Sequence, residues 1–221
     1  MVEPKENDTR SKILDAARDL FVSLGYARVT MRGIARAIGY TPTTIYLYFK
    51  DKEAMLRELV ANDFFAMTAR FRQIANIPDP VERLRATGLA YIEYGLAYPN
   101  HYRLIFMTNH VPVIKKGAIL DERQRGNPEH DAYAFLTHTV RACVESGRVR
   151  TEYLDVEQTS QMLWSAVHGV VTLYIARSHD TWLDWKPPMD TARMLIDTLT
   201  QGVTLPDDVS QHHERHPAPP G

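Results

Sequence analysis

Apolar residues recur at intervals of three and four along most of the chain, which is the spacing of an amphipathic α-helix. In the first such segment, Ile13, Ala17 and Phe21 fall on one face after Thr9, a good N-cap residue. Gly25 ends the segment, where the left-handed conformation of a helix end suits glycine. The sequence contains no alternating run of strand length and no internal repeat, so the pattern predicts an all-α fold.

Two short helical segments follow in the range 30–49. Thr30 is the N-cap candidate of the first segment, which Gly39 ends. Thr41 is the N-cap candidate of the second, with Pro42 at its first helical position. The short Gly-Tyr-Thr turn between them makes this a helix-turn-helix pattern. A helix of about two turns can enter the major groove of DNA with its first residues at base edges, so the second segment is the predicted recognition helix.

A longer helix begins after the capping residue Asp51 and runs to a break at 77–80, where two prolines flank an aspartate. This break is the predicted domain boundary. The predicted domains are a helix-turn-helix domain at 9–69, a helical domain at 80–205 and a disordered tail at 206–221 that lacks apolar periodicity. Within the second domain, helical patterns cover about 80–98, 99–107, 129–146, 155–178 and 190–203, and a loop is predicted at 108–128.

The basic residues are concentrated near the start of the chain. Residues 9–52 carry eight basic and three acidic side chains, whereas the whole chain of 221 residues has 26 basic and 27 acidic ones and a net charge of −1. A strongly basic, histone-like protein is therefore excluded, and any contact with nucleic acid must be local. A basic start attached to an acidic body is expected when one end of a protein meets phosphate.

A composition of 44% apolar and 24% charged residues is typical of a folded soluble protein. The single cysteine, Cys143, excludes an internal disulfide and a multi-cysteine zinc site, and it favours a reducing cytoplasm. The sequence shows no apolar stretch of membrane-spanning length and no signal sequence. We therefore predict a cytoplasmic protein that acts without a membrane, a metal or another cofactor.

A characteristic set of residues accompanies the helix-turn-helix. It comprises Ile13-Leu14-Asp15-Ala16-Ala17, Leu20-Phe21, Gly25-Tyr26, Thr30, Ile34-Ala35, Gly39, Thr44-Ile45-Tyr46, Tyr48-Phe49, Lys52 and Glu53. Over roughly residues 9–62 the chain thereby resembles the TetR family of transcriptional regulators. The resemblance implies a homodimer that binds a palindromic double-stranded DNA operator, with C-terminal helices for dimerisation and for a small-molecule effector. In this family, effector binding usually releases DNA, so we predict a repressor.

The helix predicted at 155–178 contains a second resemblance. The run Trp164-Ser165-Ala166-Val167-His168-Gly169 is similar to the Trp-His-Gly pattern of one TetR subgroup. This helix is apolar on two sides, and one neighbouring helix of the same chain would leave a side exposed, so a second copy is expected to cover it. The two apolar stripes are Leu163, Val167, Val170 and Tyr174, and Met162, Ala166, Gly169 and Leu173.

Polar side chains of the helix-turn-helix are the candidate DNA contacts. Thr44 and Tyr46 match family positions that often contact DNA, and threonine at a helix start can bond a base or phosphate and touch a thymine methyl group. Lys52 stands at a helix N-terminus, whose dipole attracts anions. No Arg, Asn or Gln lies between Thr41 and Phe49, so readout is expected to depend on thymine methyl groups and DNA shape. The predicted contacts are Arg28, Thr30, Thr41, Thr43, Thr44, Tyr46, Tyr48, Lys50 and Lys52.

An aromatic-rich stretch at 91–107 is the candidate effector site. The family layout places this stretch opposite Trp164 and His168, which would make a mostly apolar cavity with a few polar donors for a hydrophobic or aromatic effector. The alternative is that these residues fill the core, as aromatic residues at helical spacing usually do. The predicted contacts are Tyr91, Tyr94, Tyr98, Tyr102, Phe106, Met107, Trp164 and His168.

Two other function classes fit parts of the sequence. Histidines such as His101 and His168 are possible catalytic bases, but their spacing matches no catalytic or metal motif and no phosphate-binding glycine loop is present. We therefore predict that the protein is not an enzyme. The alternative to a DNA-binding regulator is a helical adaptor that binds protein. An affinity for duplex DNA that falls steeply with salt distinguishes the regulator from the adaptor.

Overall fold

The computed structural model describes residues 4–108 and 126–206, with side chains from residue 8 onward. The chain forms nine α-helices within these ranges, and the predicted all-α fold is confirmed. They are α1 (Pro4–Leu24), α2 (Met31–Ala37), α3 (Pro42–Tyr48), α4 (Lys52–Ile74), α5 (Pro80–Ala97), α6 (Pro99–Tyr102), α7 (Ala132–Glu145), α8 (Val156–Arg177) and α9 (Pro188–Val203). None of these helices is both long and apolar enough to cross a lipid bilayer.

The predicted N-cap residues occupy their positions in the helix-turn-helix. The Thr30 hydroxyl accepts a hydrogen bond from the Gly33 N–H at 3.0 Å, and the Thr41 hydroxyl accepts one from Thr44 at 3.2 Å. The Asp51 carboxylate does the same for the Ala54 N–H at 2.7 Å. Each cap satisfies a backbone donor that has no partner inside its helix, which is why these short helices begin where they do.

Some helix ends lie where the sequence predicts them, and others do not. Gly25 and Gly39 have φ values of 77° and 70°, the left-handed conformation expected of them. The prediction that α1 begins after Thr9 is wrong, because the helix already begins at Pro4, a residue that suits the first helical position. A π-helical turn, Arg103–Met107, continues α6, where a plain helical segment was expected.

Two predicted segments lie mostly outside the described residues. These are the predicted loop at 108–128, of which 109–125 are not described, and the predicted tail at 206–221, of which 207–221 are not described.

The described residues form two compact units. The first unit contains 4–66 and 98–108, and the second contains 67–97 and 126–206. The chain thus passes between the units within α4 and again after α5, whereas the predicted domain boundary is the turn at 77–80.

The first unit packs α1, α2, α3 and the first half of α4 around an apolar core that includes Ile13, Phe21, Ile34 and Ile45. Leu104, from the π-helical turn, belongs to the same core. Burial of these side chains is the main source of stability for the unit, at about 1.5–3 kcal/mol for each large apolar side chain.

A buried ion pair joins α1 to α4 beside this core. The Arg18 guanidinium donates to both carboxylate oxygens of Asp63, at 2.9 and 3.3 Å, and both side chains are nearly inaccessible to solvent. A second acceptor for Arg18 is the exposed carboxylate of Asp15, at 2.8 Å. The His101 imidazole of α6 lies 3.8 Å from the same Asp63 carboxylate.

The second unit packs α5, α7, α8 and α9 against one another. The approach of α5 to α9 is close at Gly88, where an added Cβ would collide with the Ile196 side chain. Val81, Val140 and Leu163 belong to the apolar core of this unit.

Candidate functional site

The outer surface of α3 is the candidate DNA-reading surface. Ile45 and Phe49 are buried, as their spacing predicts, and they fix the inner side of the helix. Tyr46 is 54% exposed and Thr43 is also exposed. Leu47 is 79% exposed, and sequence reasoning did not select it as a candidate contact. Its signal in the sequence was its position two residues from Ile45, which places an apolar side chain off the buried side of the helix.

Two threonines at the start of α3 form a hydrogen-bonded pair. The hydroxyls of Thr41 and Thr44 lie 2.9 Å apart, while the Thr41 hydroxyl also accepts from the Thr44 N–H. The capping contact therefore orients both side chains at the end of the helix that would enter a groove. Threonine offers a hydroxyl and a methyl group there, which suit a polar base edge and a thymine methyl group.

Arg10, from α1, holds the other end of α3. Its guanidinium donates to the Tyr48 carbonyl at 3.2 Å and to both carboxylate oxygens of Glu58 at 3.0 and 2.6 Å. The same group lies 4.5 Å from the centre of the Phe49 ring. Sequence reasoning missed this positioning residue, since its partners are 38 to 48 residues away in the chain. Arg10 satisfies a carbonyl at the C-terminal end of α3 and ties that end to α4.

Lys52 has a role within the fold that the sequence did not predict. Its ammonium group donates to the Tyr26 carbonyl at 2.8 Å and the Val29 carbonyl at 3.1 Å, and it lies 4.3 Å from the centre of the Tyr26 ring. Two of its three donors thus hold the turn between α1 and α2 against α4. The predicted phosphate contact of Lys52 stays a prediction.

The other residues predicted to contact DNA lie in different environments within the unit. The Arg28 side chain donates to the Leu24 carbonyl at 2.7 Å, and Thr30 caps α2. Tyr48 is half-buried against the core of the unit, and its predicted DNA contact stays a prediction. Lys50 is exposed just after α3.

The structure divides the predicted effector site between the two compact units. In the second unit, it brings three of the predicted residues together through one phenol group. The Trp164 indole N–H donates to the Tyr91 hydroxyl at 3.0 Å, and that hydroxyl lies 3.2 Å from His168 Nδ1. Tyr91 comes from α5, and Trp164 and His168 lie four residues apart on α8. Tyr94, also in this unit, is buried.

The other four predicted residues belong to the first unit. Tyr102 is fully buried, and its ring centre lies 4.8 Å from that of the half-buried Phe106, so the two rings pack against each other. Tyr98 and Met107 are partly exposed. Tyr102 therefore fills the core of its unit, which is the alternative given for the aromatic residues. Contact between these four residues and an effector stays a prediction.

An open groove of about 380 Å³ lies beside the Trp164 indole. Tyr133, Glu157, Gln161 and Ser165 line it with Trp164. The Tyr133 hydroxyl donates to Glu157 at 2.6 Å, and this hydrogen bond holds the pKa of the Glu157 carboxyl below its ordinary value. The volume is within the usual range of small-molecule sites, and the groove presents an indole, a phenol and three further polar side chains.

Partial burial lowers the pKa of His168 below its ordinary value of 6.5. We expect NMR titration of its imidazole to give a midpoint below 6.5. Because protonation is then less favourable in the folded state, the part of the stability that depends on His168 is present at pH 7 and is lost as the pH falls through that midpoint. A His168→Gln variant should lack this part of the pH dependence, and a midpoint above 6.5 would contradict the burial argument.

Two family models match the chain. The first is described as "Bacterial regulatory proteins, tetR family" and matches residues 13–59, which include the complete helix-turn-helix. The second is described as "Tetracyclin repressor-like, C-terminal domain" and matches residues 84–199.

The chain is also similar to a named regulator and to solved structures. The HTH-type transcriptional regulator UidR of Escherichia coli is 23% identical over 181 residues, which cover 77% of this chain and 83% of that protein. The structure of the ketosteroid transcriptional regulator KstR2 of Mycobacterium tuberculosis has a TM-score of 0.72 at 20% identity, covering 90% of this chain and 96% of that one. The structure of the fatty acid degradation regulator FadR from Bacillus halodurans has a TM-score of 0.70 at 21% identity, covering 91% and 97%. These structures share the fold, and since the second family model alone spans more than half of the 221 residues, the chain belongs to the TetR family of DNA-binding transcriptional regulators.

Proposed function

We propose that the protein is a homodimeric repressor that holds a palindromic operator and releases it when a small effector binds. The observation that carries the proposal is the surface of α3, where Thr43, Tyr46 and Leu47 are exposed although Ile45 and Phe49 fix the helix from inside. A short helix that is rigidly held and open on one side can enter the major groove. Exposed Lys50 and Arg28 supply charge for phosphate contacts.

The proposed dimer interface consists of α8 and α9. Of the two apolar stripes on α8, the one with Leu163, Val167 and Tyr174 is buried within its own unit. Leu173, on the other stripe, is 51% exposed, and Met194 on α9 is 72% exposed. A second copy that covers this surface removes it from water and creates the two-fold axis that a palindromic operator requires.

The proposed effector has a hydrophobic or aromatic body and at least one hydrogen-bonding group. The Tyr91–Trp164–His168 cluster and the groove beside Trp164 supply aromatic surface together with phenol, indole and imidazole groups. The ketosteroid transcriptional regulator and the fatty acid degradation regulator that share this fold are named for apolar compounds. The Trp-His-Gly run places Trp164 and His168 on one side of α8. In this proposal the run identifies a TetR subgroup in which this helix contributes to the effector site.

Selection of bound fragments from random duplex DNA, followed by sequencing, tests the function directly. A palindromic consensus is expected, with an affinity that falls steeply as salt is raised because phosphate contacts release counterions. A helical adaptor would enrich no DNA sequence, and that result would contradict the proposal.

Thr44 is expected to read a base. Replacing Thr44 with alanine removes a methyl and a hydroxyl group at the start of α3, so the preferred base at one position of each half-site should change, with a discrimination of about 1–3 kcal/mol. Repeating the fragment selection with the variant measures this change. Thr151→Ala removes an exposed threonine between α7 and α8, outside the proposed dimer interface, and should leave the consensus unchanged. An equal loss of affinity for operator and random DNA would show that Thr44 does not discriminate between bases.

A further inference from the structure

A small cavity lies in the second unit, away from the residues assigned above. It has a volume of about 150 Å³, and its lining comes from the end of α4, the start of α5, the turn before α7 and α7 itself. This volume corresponds to about five water molecules at liquid density. The cavity therefore accommodates a small molecule or one end of a larger one.

One arginine of the lining, Arg83, has a buried donor. Arg83 Nη1 donates to the Ile77 carbonyl at 3.0 Å, which fixes the guanidinium against the turn before α5. The Nε atom of Arg83 is buried and has no hydrogen-bond partner among the described residues. Because Nε is closed to solvent and Nη1 is bonded to Ile77, Nη2 is the terminal group of this cavity-lining guanidinium that is left for an acceptor.

The charges around the cavity favour an anion. Arg72 and Arg83 contribute two positive charges to its lining, against one carboxylate from Glu129. The nearby Asp79 carboxylate already caps α5 through the Val81 N–H at 2.7 Å and accepts from another arginine, Arg148, at 2.7 Å. These contacts hold the Asp79 carboxylate in the turn before α5 and offset its charge.

The lining also contains apolar residues, together with His138 and Thr139. Phe135 is one of these apolar residues, and the Phe135 ring stacks on Phe71 with the ring centres 5.4 Å apart. Ala75 and Pro128 add further apolar surface. A ligand that has an oxyanion at one end and a flat apolar body at the other matches this mixed lining.

We propose that this cavity binds a small aryl carboxylate, with the carboxylate on Arg83 and the ring against Phe135. Guanidinium and carboxylate groups form charge-assisted hydrogen bonds in a planar arrangement that a neutral ligand cannot reproduce. This site is separate from the Tyr91–Trp164–His168 cluster, and it goes beyond the proposed repressor function because its occupancy does not depend on DNA.

Calorimetric titration of the full chain with benzoate, in the absence of DNA, tests the site. Saturable binding is expected, and benzamide, which has the same shape and no charge, should bind at least about tenfold more weakly because it lacks the charge-assisted hydrogen bond. The same loss is expected for benzoate with the Arg83→Gln variant. Arg141→Gln removes an arginine from α7 outside the lining and should bind benzoate as the wild-type protein does.

A second variant keeps the test decisive if the Arg83 variant unfolds. Ala75 is exposed at the edge of the cavity, so Ala75→Phe should block entry without removing a polar contact, and melting temperatures report whether each variant is folded. Loss of benzoate binding in a folded Ala75→Phe variant supports the site. Absence of saturable binding by the wild-type protein, equal binding of benzamide, or unchanged binding in folded variants would overturn it.

Discussion

Replacing Asp63 with alanine is expected to lower the free energy of unfolding by about 3–5 kcal/mol, because it leaves the buried Arg18 guanidinium without its main partner. The side chain of Asp63 is 3% exposed and that of Arg18 is 9% exposed. Urea denaturation followed by circular dichroism measures the change. The loss is large for a single substitution, since a whole domain is usually stable by only about 5–15 kcal/mol.

The exposed partner of the same arginine is a matched control. Asp15 also accepts from Arg18 but is 65% exposed, so Asp15→Asn should cost only about 0–1 kcal/mol. A double variant with Arg18→Met and Asp63→Ala should recover part of the stability, because it removes both charges from the interior together. If Asp63→Ala and Asp15→Asn lower the free energy of unfolding equally, burial does not determine how much the Arg18–Asp63 ion pair contributes to stability.

Introducing charge on the exposed apolar surface of α8 and α9 is expected to separate the dimer. A variant with Leu173→Glu and Met194→Glu places carboxylates where the proposed partner helices pack, and burying unpaired charges is unfavourable. Sedimentation velocity at micromolar concentration should show a monomer. Operator affinity should fall by about 100-fold or more. In a dimer, binding of one DNA-binding domain holds the other at a high effective concentration near the second half-site, and a monomer loses this advantage.

Leu154 offers a control of the same type, since it is an exposed leucine that precedes α8. A Leu154→Glu variant should remain dimeric and should bind the operator as the wild-type protein does. A wild-type chain that sediments as a monomer, or a double glutamate variant that stays dimeric, would contradict the proposed interface.

Local chemistry explains which parts of the helix-turn-helix were predictable. The start of α2 depends on the contact between Thr30 and Gly33, and the start of α3 depends on Thr41 and Thr44. Capping contacts join residues three apart, so they are visible in the sequence. The burial of Ile45 and Phe49 was predictable for the same reason, because residues four apart share one side of a helix.

The roles of charged side chains were not predictable in this way. Lys52 was expected to face phosphate because of its place at a helix start, but two of its donors hold the carbonyls of Tyr26 and Val29. Arg10 belongs to a basic segment, and its partners Glu58 and Tyr48 come from other helices. Long side chains reach several acceptors, and only the packing of the helices decides which acceptor is close.

By itself, the sequence determined the all-α fold, the position of the helix-turn-helix and the caps of α2 and α3, because these depend on helical periodicity and on contacts within one turn. Only the tertiary structure decided that the aromatic stretch at 91–107 is shared between two compact units, and that Tyr91 meets Trp164 and His168. The same holds for the cavity that joins Arg83 to Phe135. Such groups are about 50 to 80 residues apart in the chain, and they become neighbours only because burial of apolar surface packs their helices together.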